Sequence, residues 1–298
     1  MIVLSESPEQ LEPSASVSNI KVLTEAAQIV GCTVYSIPPD FERCSTAENA
    51  LWHIPQYTQE MTGIWVGYIP ELERYQAIYN AALYKGIKLV NSTLQHQTVT
   101  EFDLFYPYLK GLTPESLVIR SVEECAGTGE LLGFPVFVKG AVQSRKKQGW
   151  KSCVANNLEE LITLTEWLLK LKYGSRGKVI VRKFINLRYH RLAPNGFPMG
   201  REYRVFMYNG QVLEYGYYWD GKDDLSRLSQ QEEKEVLSLA TLASQRLNVP
   251  YIAIDIGQLE NKEWVVVEVG DAQFSGTCHI PALELWNKLK NIDSQEKL

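Results

Sequence analysis

Cysteine and histidine are scarce in this sequence, and they are poorly placed for cross-links or metal sites. The 298 residues include five cysteines and four histidines, and no two cysteines form a C-x-x-C pair. An odd number of cysteines in a chain of this length does not indicate a disulfide framework. Only Cys278 and His279 are adjacent, and two ligands do not make a structural zinc site. We therefore expect reduced thiols.

Long apolar runs are also absent. No stretch approaches the roughly 18–20 apolar residues that a membrane-spanning helix needs. The first sixteen residues, MIVLSESPEQLEPSAS, have no basic region and too short an apolar stretch for a signal peptide. These absences predict a cytoplasmic protein without a membrane partner, in which the first sixteen and the last several residues are solvated tails.

Neither sign of charge dominates the chain. It has 30 lysines and arginines against 35 acidic residues, a net charge of -5, which gives no overall attraction for nucleic acid or anionic lipid. Hydrophobic residues make up 45% and charged residues 22%, as in ordinary globular proteins, so wholesale disorder is excluded. The length allows two or three domains of about 100–200 residues each.

The common nucleotide-binding signatures are missing. The string GSRGK at residues 174–178 has the wrong spacing for a P-loop, and GTGELLG at 127–133 has one residue too many for a dinucleotide-binding turn. The second string also leads into a strand instead of opening a helix, so we interpret it as a loop or a helix end. No G-x-S-x-G or H-E-x-x-H motif occurs.

Short apolar runs alternate with helical patterns, which is typical of an α/β protein. Strands predicted at 33–37, 62–68 and 87–91 are separated by single helices, so we expect a small parallel sheet in the first hundred residues. Asn209-Gly210 between two alternating runs predicts a β-hairpin. Further strands are predicted at 117–120, 134–139, 152–155, 178–185, 202–208, 211–217, 251–258 and 263–269, and further helices at 122–132, 158–171 and 231–247.

Charged residues stand at the ends of several predicted strands. Lys139 ends an apolar strand, where an ammonium group needs water or an anion. Asp255 and Glu268 each interrupt an apolar strand, and alternation allows both to face one side of adjacent antiparallel strands. Two carboxylates there repel each other unless a cation lies between them, and their oxygens suit Mg²⁺ that bridges phosphates. The alternative is that Asp255 is a salt-bridged core residue, which Asp255→Asn would then destabilise; a metal ligand predicts unchanged or slightly higher stability.

The order of the motifs FPVFVK, QSRKKQGWK, VIVRKFI, EYRVFMYNGQV, YIAIDIGQL and WVVVEVGD resembles the ATP-grasp superfamily over about residues 60–280. The resemblance implies an α/β (α+β) fold with a small N-terminal α/β domain, residues 1–110. Two α+β subdomains that clamp ATP follow: residues 111–185 with a phosphate flap, and residues 186–298 with the metal ligands.

The resemblance also assigns a site for ATP and Mg²⁺. It implies that Lys139 binds phosphate, that residues 143–151 are a mobile flap with little to bury, and that Asp255 and Glu268 bind the metal. The usual Glu-x-Asn is replaced by Glu268-Val269-Gly270-Asp271, so the third ligand is Asp271 or is absent; basic residues also replace the acid often found in the hinge, which indicates a divergent branch. The remaining implied nucleotide contacts are Lys151 or Lys147 in the flap and the hinge residues Arg182, Lys183, Phe184 and Ile185.

The implied reaction is ATP-dependent joining of a carboxylate to an amine through an acyl phosphate, with ADP released. The partners would be a small-molecule or peptide carboxylate and an amine, and Arg204 would steady the transferring phosphoryl group or the oxyanion. Two alternatives stay open: a non-catalytic nucleotide-binding module, and an ATP-dependent enzyme that modifies a peptide or RNA end, which the basic flap suggests. The overall charge disfavours nucleic acid.

Overall fold

A computed structural model of the chain describes residues 1–6, 9, 11–39, 44–142 and 144–295. Within these ranges the chain forms three four-stranded sheets, a separate two-stranded sheet and the helices that cover them. None of the helices described is long and apolar enough to cross a bilayer.

The first sheet is parallel and has the strand order β2-β1-β3-β4. The chain returns to the same edge after each strand through helical connections, as parallel pairing requires. The small parallel sheet expected from the sequence is therefore confirmed. Its strands are β1 (Ile2–Glu6), β2 (Thr33–Ile37), β3 (Met61–Val66) and β4 (Ile87–Leu89), and its helices are α1 (Ala15–Ile29), α2 (Ala47–Ala50), α3 (Leu72–Tyr84), α4 (Thr93–Thr100) and α5 (Phe102–Leu109).

The prediction of a solvated N-terminal tail is wrong. All five residues of β1 are buried, and the strand pairs with both β2 and β3. Helix α1 then begins at Ala15, where the side chain of Ser14 accepts a hydrogen bond from the backbone N–H of Val17. The strand contains only three consecutive apolar residues, so its pattern is too short to distinguish it from a tail.

The second sheet is antiparallel, with the strand order β5-β8-β6-β7. Helices α6 and α7 share a buried apolar core with it. The glycine-rich string at 127–133 lies in α6 and ends at its C-cap, as interpreted from the sequence. The elements of this unit are β5 (Ser116–Ile119), α6 (Cys125–Leu132), β6 (Val136–Gly140), β7 (Val154–Ala155), α7 (Leu158–Leu169), α8 (Lys172–Ser175) and β8 (Val179–Lys183).

The third sheet is antiparallel, with the strand order β12-β11-β13-β14, and a short hairpin of β9 and β10 precedes it. Asn209 and Gly210 both have positive φ, 46° and 77°, in the tight turn between β11 and β12, which confirms the predicted hairpin. The elements are β9 (Tyr189–Leu192), β10 (Pro198–Gly200), β11 (Glu202–Tyr208), β12 (Gln211–Tyr217), α9 (Gln230–Leu247), β13 (Tyr251–Gln258), β14 (Trp264–Asp271) and α10 (Ala282–Gln295).

The first and third units are joined through a shared core. The side-chain amide of Asn91 donates to the carbonyl of Tyr251 at 2.7 Å and accepts from its N–H at 3.0 Å. Leu285, Trp286 and Leu289 of α10 are buried in a cluster that includes residues of β1, β3 and α1. The predicted C-terminal tail is therefore wrong as far as residue 295; residues 296–298 lie outside the described ranges.

Candidate functional site

Three charged residues stand side by side on neighbouring strands of the third sheet. Arg204 on β11 is opposite Asp255 on β13, and Asp255 is opposite Glu268 on β14. Directly opposite residues project from the same face of a sheet, so the predicted pairing of the two acids is confirmed. We call these three residues the charged row.

Within the charged row, Arg204 and Asp255 form a two-pronged ion pair. The guanidinium Nε and Nη2 donate to Oδ1 and Oδ2, both at 2.7 Å, and Nη1 donates to the carbonyl of Gly276 at 2.9 Å. The exposed fractions of the two side chains are 14% and 6%. Burial disfavours the charge of Arg204, but Asp255 outweighs it and holds the pKa of the guanidinium well above its usual value.

Glu268 is neutralised from the opposite sheet. Lys139, at the end of β6, extends across the cleft and donates a hydrogen bond to its Oε1. Burial works against both charges, lowering the pKa of Lys139, and the Glu268 carboxylate partly restores it. Burial likewise opposes ionisation of Glu268, yet Lys139, with Lys146 and Arg182 nearby, lowers the pKa of its carboxyl group to about 2.

The expected pair of mutually repelling acids is therefore a wrong picture of the charged row. Asp255 and Glu268 each have a cationic side chain as partner, one from the same sheet and one from the second sheet. Among the residues that the structure describes, no group of three or more His, Cys, Asp or Glu side chains is placed to hold a metal. A cation that bound here would exchange with these side chains.

Asp271 has different partners from the charged row. Its carboxylate accepts hydrogen bonds from the Asn91 amide at 2.9 Å and from the Gln273 backbone and side chain at 3.0 and 3.2 Å. It also lies 2.9 Å from Nδ1 of His96, and its side chain is fully buried. Since Asp271 is three residues after Glu268 on one strand, the two project from opposite faces.

A cavity of about 500 Å³ lies between the second and third sheets, and we call it the first chamber. The four hinge residues named from the sequence line it, together with Lys139 and Glu268. Its walls are otherwise largely apolar, from Phe137, Leu187, Leu192, Phe197 and Val267. The residues shared with the sequence assignment are Lys139, Arg182, Lys183, Phe184, Ile185 and Glu268.

Arg182 is a fixed cation in the wall of the first chamber. Its Nη1 donates to the carbonyl of Val267 at 2.7 Å, and its Nε donates to Ser116 at 3.3 Å. The guanidinium carbon lies 5.1 Å from the ring centre of Phe102. These contacts hold β8 against β14 and keep a positive charge close to Glu268.

Sequence reasoning did not single out the lysine that the structure places in the site. Lys146 lines the first chamber and also a second cavity, whereas Lys151 is exposed and lines neither. The side chain of Lys147 and the whole of Gln143 lie outside what the structure describes. Four basic residues within seven positions carry no signal that distinguishes the inward-facing one.

Glu202 is a second residue whose position the sequence left open. Its side chain lines the first chamber, is 2% exposed, and projects from the same face of β11 as Arg204. Burial raises the pKa of its carboxyl group, and the nearby Lys146 opposes that rise. The alternation of Glu202 and Arg204 showed a shared face, but the sequence did not show that this face is covered.

The second cavity, of about 650 Å³, begins where the first chamber ends. Both are lined by Ser144, Lys146 and Glu268, so the charged row lies where they meet. We call this cavity the second chamber. Its walls come from all three units and include Ile69, Val99, Thr100, Phe105, Arg145, Gln148, Arg204, Tyr218, Trp219, Asp255, Asp271, Phe274 and Ser275.

Comparison with known proteins places this architecture. A family model described as an ATP-grasp domain, the third family of its clade, matches residues 125–289. No curated protein matches the chain.

Solved structures resemble the chain over nearly its whole length, at low sequence identity. The D-alanine–D-alanine ligase of Bacillus anthracis, complexed with ATP, has 13% identity and a TM-score of 0.68, covering 99% of this chain and 97% of that one. A RimK domain ATP-grasp protein of Sphaerobacter thermophilus has 13% identity and a TM-score of 0.65, covering 97% and 98%. The ATP-grasp ligase PsnB, complexed with a minimal precursor, Mg and ADP, has 13% identity and a TM-score of 0.59, covering 98% of each chain. These likenesses show the ATP-grasp fold.

Proposed function

Since the chain belongs to the ATP-grasp domain family whose model it matches, we propose that it is an ATP- and Mg²⁺-dependent ligase that joins a carboxylate to an amine. One observation carries the proposal: two chambers meet at a row of paired acids and cations. One chamber has the size and apolar walls of a nucleotide site, and the other leaves room for a second reactant.

In the proposed complex the first chamber holds ATP. The hinge backbone at residues 183–185 offers hydrogen bonds to adenine, and the apolar side chains of Phe137 and Val267 flank it. The carboxylate of Glu202 lines the same chamber and can accept hydrogen bonds from ribose hydroxyl groups. The phosphates then extend towards Lys139 and Lys146, whose ammonium groups neutralise them. Lys147 and Lys151 stay predictions from the sequence alone.

The donor set fits Mg²⁺. Asp255 and Glu268 present carboxylate oxygens on adjacent strands, and hard oxygen ligands are what this ion binds. When bound, the ion would neutralise charge on the phosphate oxygens. Asp271 fits less well than the sequence suggested, because its carboxylate already accepts three hydrogen bonds and lies beside His96.

The second chamber would hold the carboxylate substrate beside the terminal phosphate. A carboxylate oxygen attacks the γ-phosphorus, the bond to the β-phosphate oxygen breaks, and ADP and an acyl phosphate form. An amine then attacks the acyl carbon, loses a proton, and releases phosphate. Arg204 lines this chamber and can donate to the transferring phosphoryl group or to the oxyanion. Such reactions depend mainly on positioning and charge stabilisation.

A panel assay tests this proposal. ADP release is measured with the purified chain, Mg-ATP, and combinations of amino acids, peptides and polyamines. We expect ADP only where a carboxylate is present, and we expect added hydroxylamine to trap the acyl phosphate as a hydroxamate. ATP binding without ADP release across the whole panel would instead support a non-catalytic nucleotide-binding module.

A peptide carboxylate is the second candidate substrate. The second chamber, about 650 Å³, is larger than a single small amino acid requires, and Arg145, Lys146 and Gln148 line the side formed by the basic segment. The same assay with peptides of increasing length decides between the two. Turnover that increases with peptide length would favour the peptide, and turnover with free amino acids alone would exclude it.

A further inference from the structure

The β9–β10 hairpin lies beside the first chamber in a position that the sequence did not predict. It follows the hinge directly and precedes β11, and its loop, residues 193–197, closes through two backbone hydrogen bonds of 2.8 Å between Ala193 and residues Gly196 and Phe197. Gly196 and Phe197 line the first chamber. The loop is therefore a compact structure at the edge of the proposed ATP site.

One side chain of this loop holds the basic segment. The amide nitrogen of Asn195 donates to the backbone carbonyl of Lys146 at 2.9 Å. The amide oxygen of Asn195 accepts from the N–H of Phe197 at 3.0 Å, so the side chain is fixed within its own loop. Asn195 thus connects a rigid turn to the backbone of the lysine that lines both chambers.

Close packing reinforces this connection. Gly149 is buried with a φ of +94°, and a Cβ at this position would lie 3.2 Å from the Asn195 carbonyl oxygen. The ring of Trp150 lies 5.8 Å from that of Phe197 and 5.3 Å from that of Phe184, measured between centres. The expectation that the flap has little to bury is therefore wrong for residues 149–150.

The charge of Lys146 faces the meeting point of the chambers. Its Nζ lies 5.8–6.0 Å from the ring centres of Phe137, Phe197 and Trp219. Among the described residues, no carboxylate lies within ion-pair distance of it, in contrast to Lys139. An anion in the site can bind this ammonium without displacing a carboxylate.

We propose that Asn195 is a positioning residue that holds Lys146 against the phosphates of the nucleotide. The inference rests on the proposed function, because it takes ATP as the occupant of the first chamber. Asn195 itself acts through the Lys146 backbone, and the hairpin supplies the fixed point from which it acts. Loss of the Asn195 amide donor should weaken binding of the phosphates and leave binding of the nucleoside unchanged.

Equilibrium affinities of the full chain for ATP and for adenosine test the inference. Asn195→Asp keeps the acceptor for Phe197 but places a carboxylate oxygen against the Lys146 carbonyl, and Asn195→Ala removes both contacts. We expect both variants to bind ATP about five- to tenfold more weakly, since a single hydrogen bond is lost, and adenosine as the wild type does. His190→Ala, an exposed change in the same hairpin, is the matched control and should alter neither affinity.

A double-variant comparison shows whether the effect passes through the lysine. Lys146→Ala alone should lose more ATP affinity than either Asn195 variant, and adding Asn195→Ala to it should cause no further loss. An equal loss of ATP and adenosine affinity in the Asn195 variants, or an additive double variant, would overturn the positioning role while leaving ATP binding intact. A wild type that binds ATP no better than adenosine, with no effect of Lys146→Ala, would overturn the ATP site itself and this inference with it.

Discussion

Each acid of the charged row depends on one cation, and the two cations come from different parts of the chain. Arg204 is on the strand next to Asp255, so that ion pair forms within one sheet. Lys139 reaches Glu268 from the second sheet, so that ion pair spans the cleft. Removing one member therefore has a different consequence in each pair.

Asp255→Asn should destabilise the protein, contrary to what a metal-ligand role alone predicts. The change leaves Arg204 almost buried without its anion, and loss of one partner of a buried ion pair costs about 3–5 kcal/mol. Urea unfolding at neutral pH measures the loss. Arg204→Met combined with Asp255→Asn should recover part of it, and Glu263→Gln, on an exposed turn, is the control. Unchanged stability of Asp255→Asn would contradict the ion pair.

Lys139→Met should abolish ADP release with a smaller change in stability. The carboxylate of Glu268 remains 36% exposed and near Arg182 and Lys146, so its unpaired charge is partly solvated and screened. Lys146→Ala should also lose activity, while Lys151→Ala should retain it, because Lys151 lines neither chamber. Assays of ADP release alongside melting curves separate these outcomes; an inactive Lys151→Ala would return the role to the residue named from the sequence.

At the scale of elements, α9 is anchored to β11 through one ion pair. Ser229 and Glu232 form a capping box at the start of the helix, and Glu232 also binds Arg201, which is buried directly before β11. The hydrogen bond from Arg201 is the main reason that the pKa of Glu232 is lowered from 4.5 to about 2. Helix and sheet are thus linked by a carboxylate that must stay ionised.

The linkage gives a pH dependence with a definite sign. Glu232 has a lower pKa in the folded chain than in the unfolded chain, so its contribution is complete above about pH 4.5 and is lost as the pH falls towards 2. We expect the difference in unfolding free energy between wild type and Glu232→Gln to shrink over this range. Denaturant titrations at pH 6, 4 and 2.5 measure it, and a constant difference would contradict the assignment.

The elements that the sequence predicted are those with long or regular patterns. β11 to β14 and α9 follow clear alternation or helical periodicity, so the face that carries Asp255 and Glu268 could be derived. β1 was missed because its buried run is short, and the β9–β10 hairpin because its polar strands show no alternation. The inward position of Lys146 depends on Asn195, about fifty positions away, and no local pattern contains it.

At the scale of the molecule, the second unit contacts the others mainly through charged and polar groups. Lys178 bonds Glu101 and Asp103 at 2.8–2.9 Å, whereas the first and third units share an apolar core. We propose that residues 111–185 form the subdomain that moves, with the predicted boundaries at 110 and 185. Hydrogen exchange with and without Mg-ATP tests this; uniform protection changes across all three units would contradict it.

Metal and nucleotide should also stabilise the whole chain only together. A carboxylate that binds Mg²⁺ must leave Lys139 or Arg204, and an ammonium that binds phosphate must leave Glu268. Melting temperatures with Mg²⁺ alone, ATP alone and both measure this, and we expect the joint shift to exceed the sum of the separate ones. Lys139→Met should respond more to Mg²⁺ alone than the wild type does. Additive shifts would contradict the exchange.

The inter-sheet ion pair thereby makes the protein a competitor of its own ligands. Lys139 imitates the metal for Glu268, and Glu268 imitates the phosphate for Lys139. Each true ligand that arrives releases one of these internal substitutes and so prepares the site for the other, which is a reciprocal coupling free energy. A nucleotide without its metal, or a metal without nucleotide, would have to displace the substitute without that compensation, so the cleft discriminates against incomplete cargo.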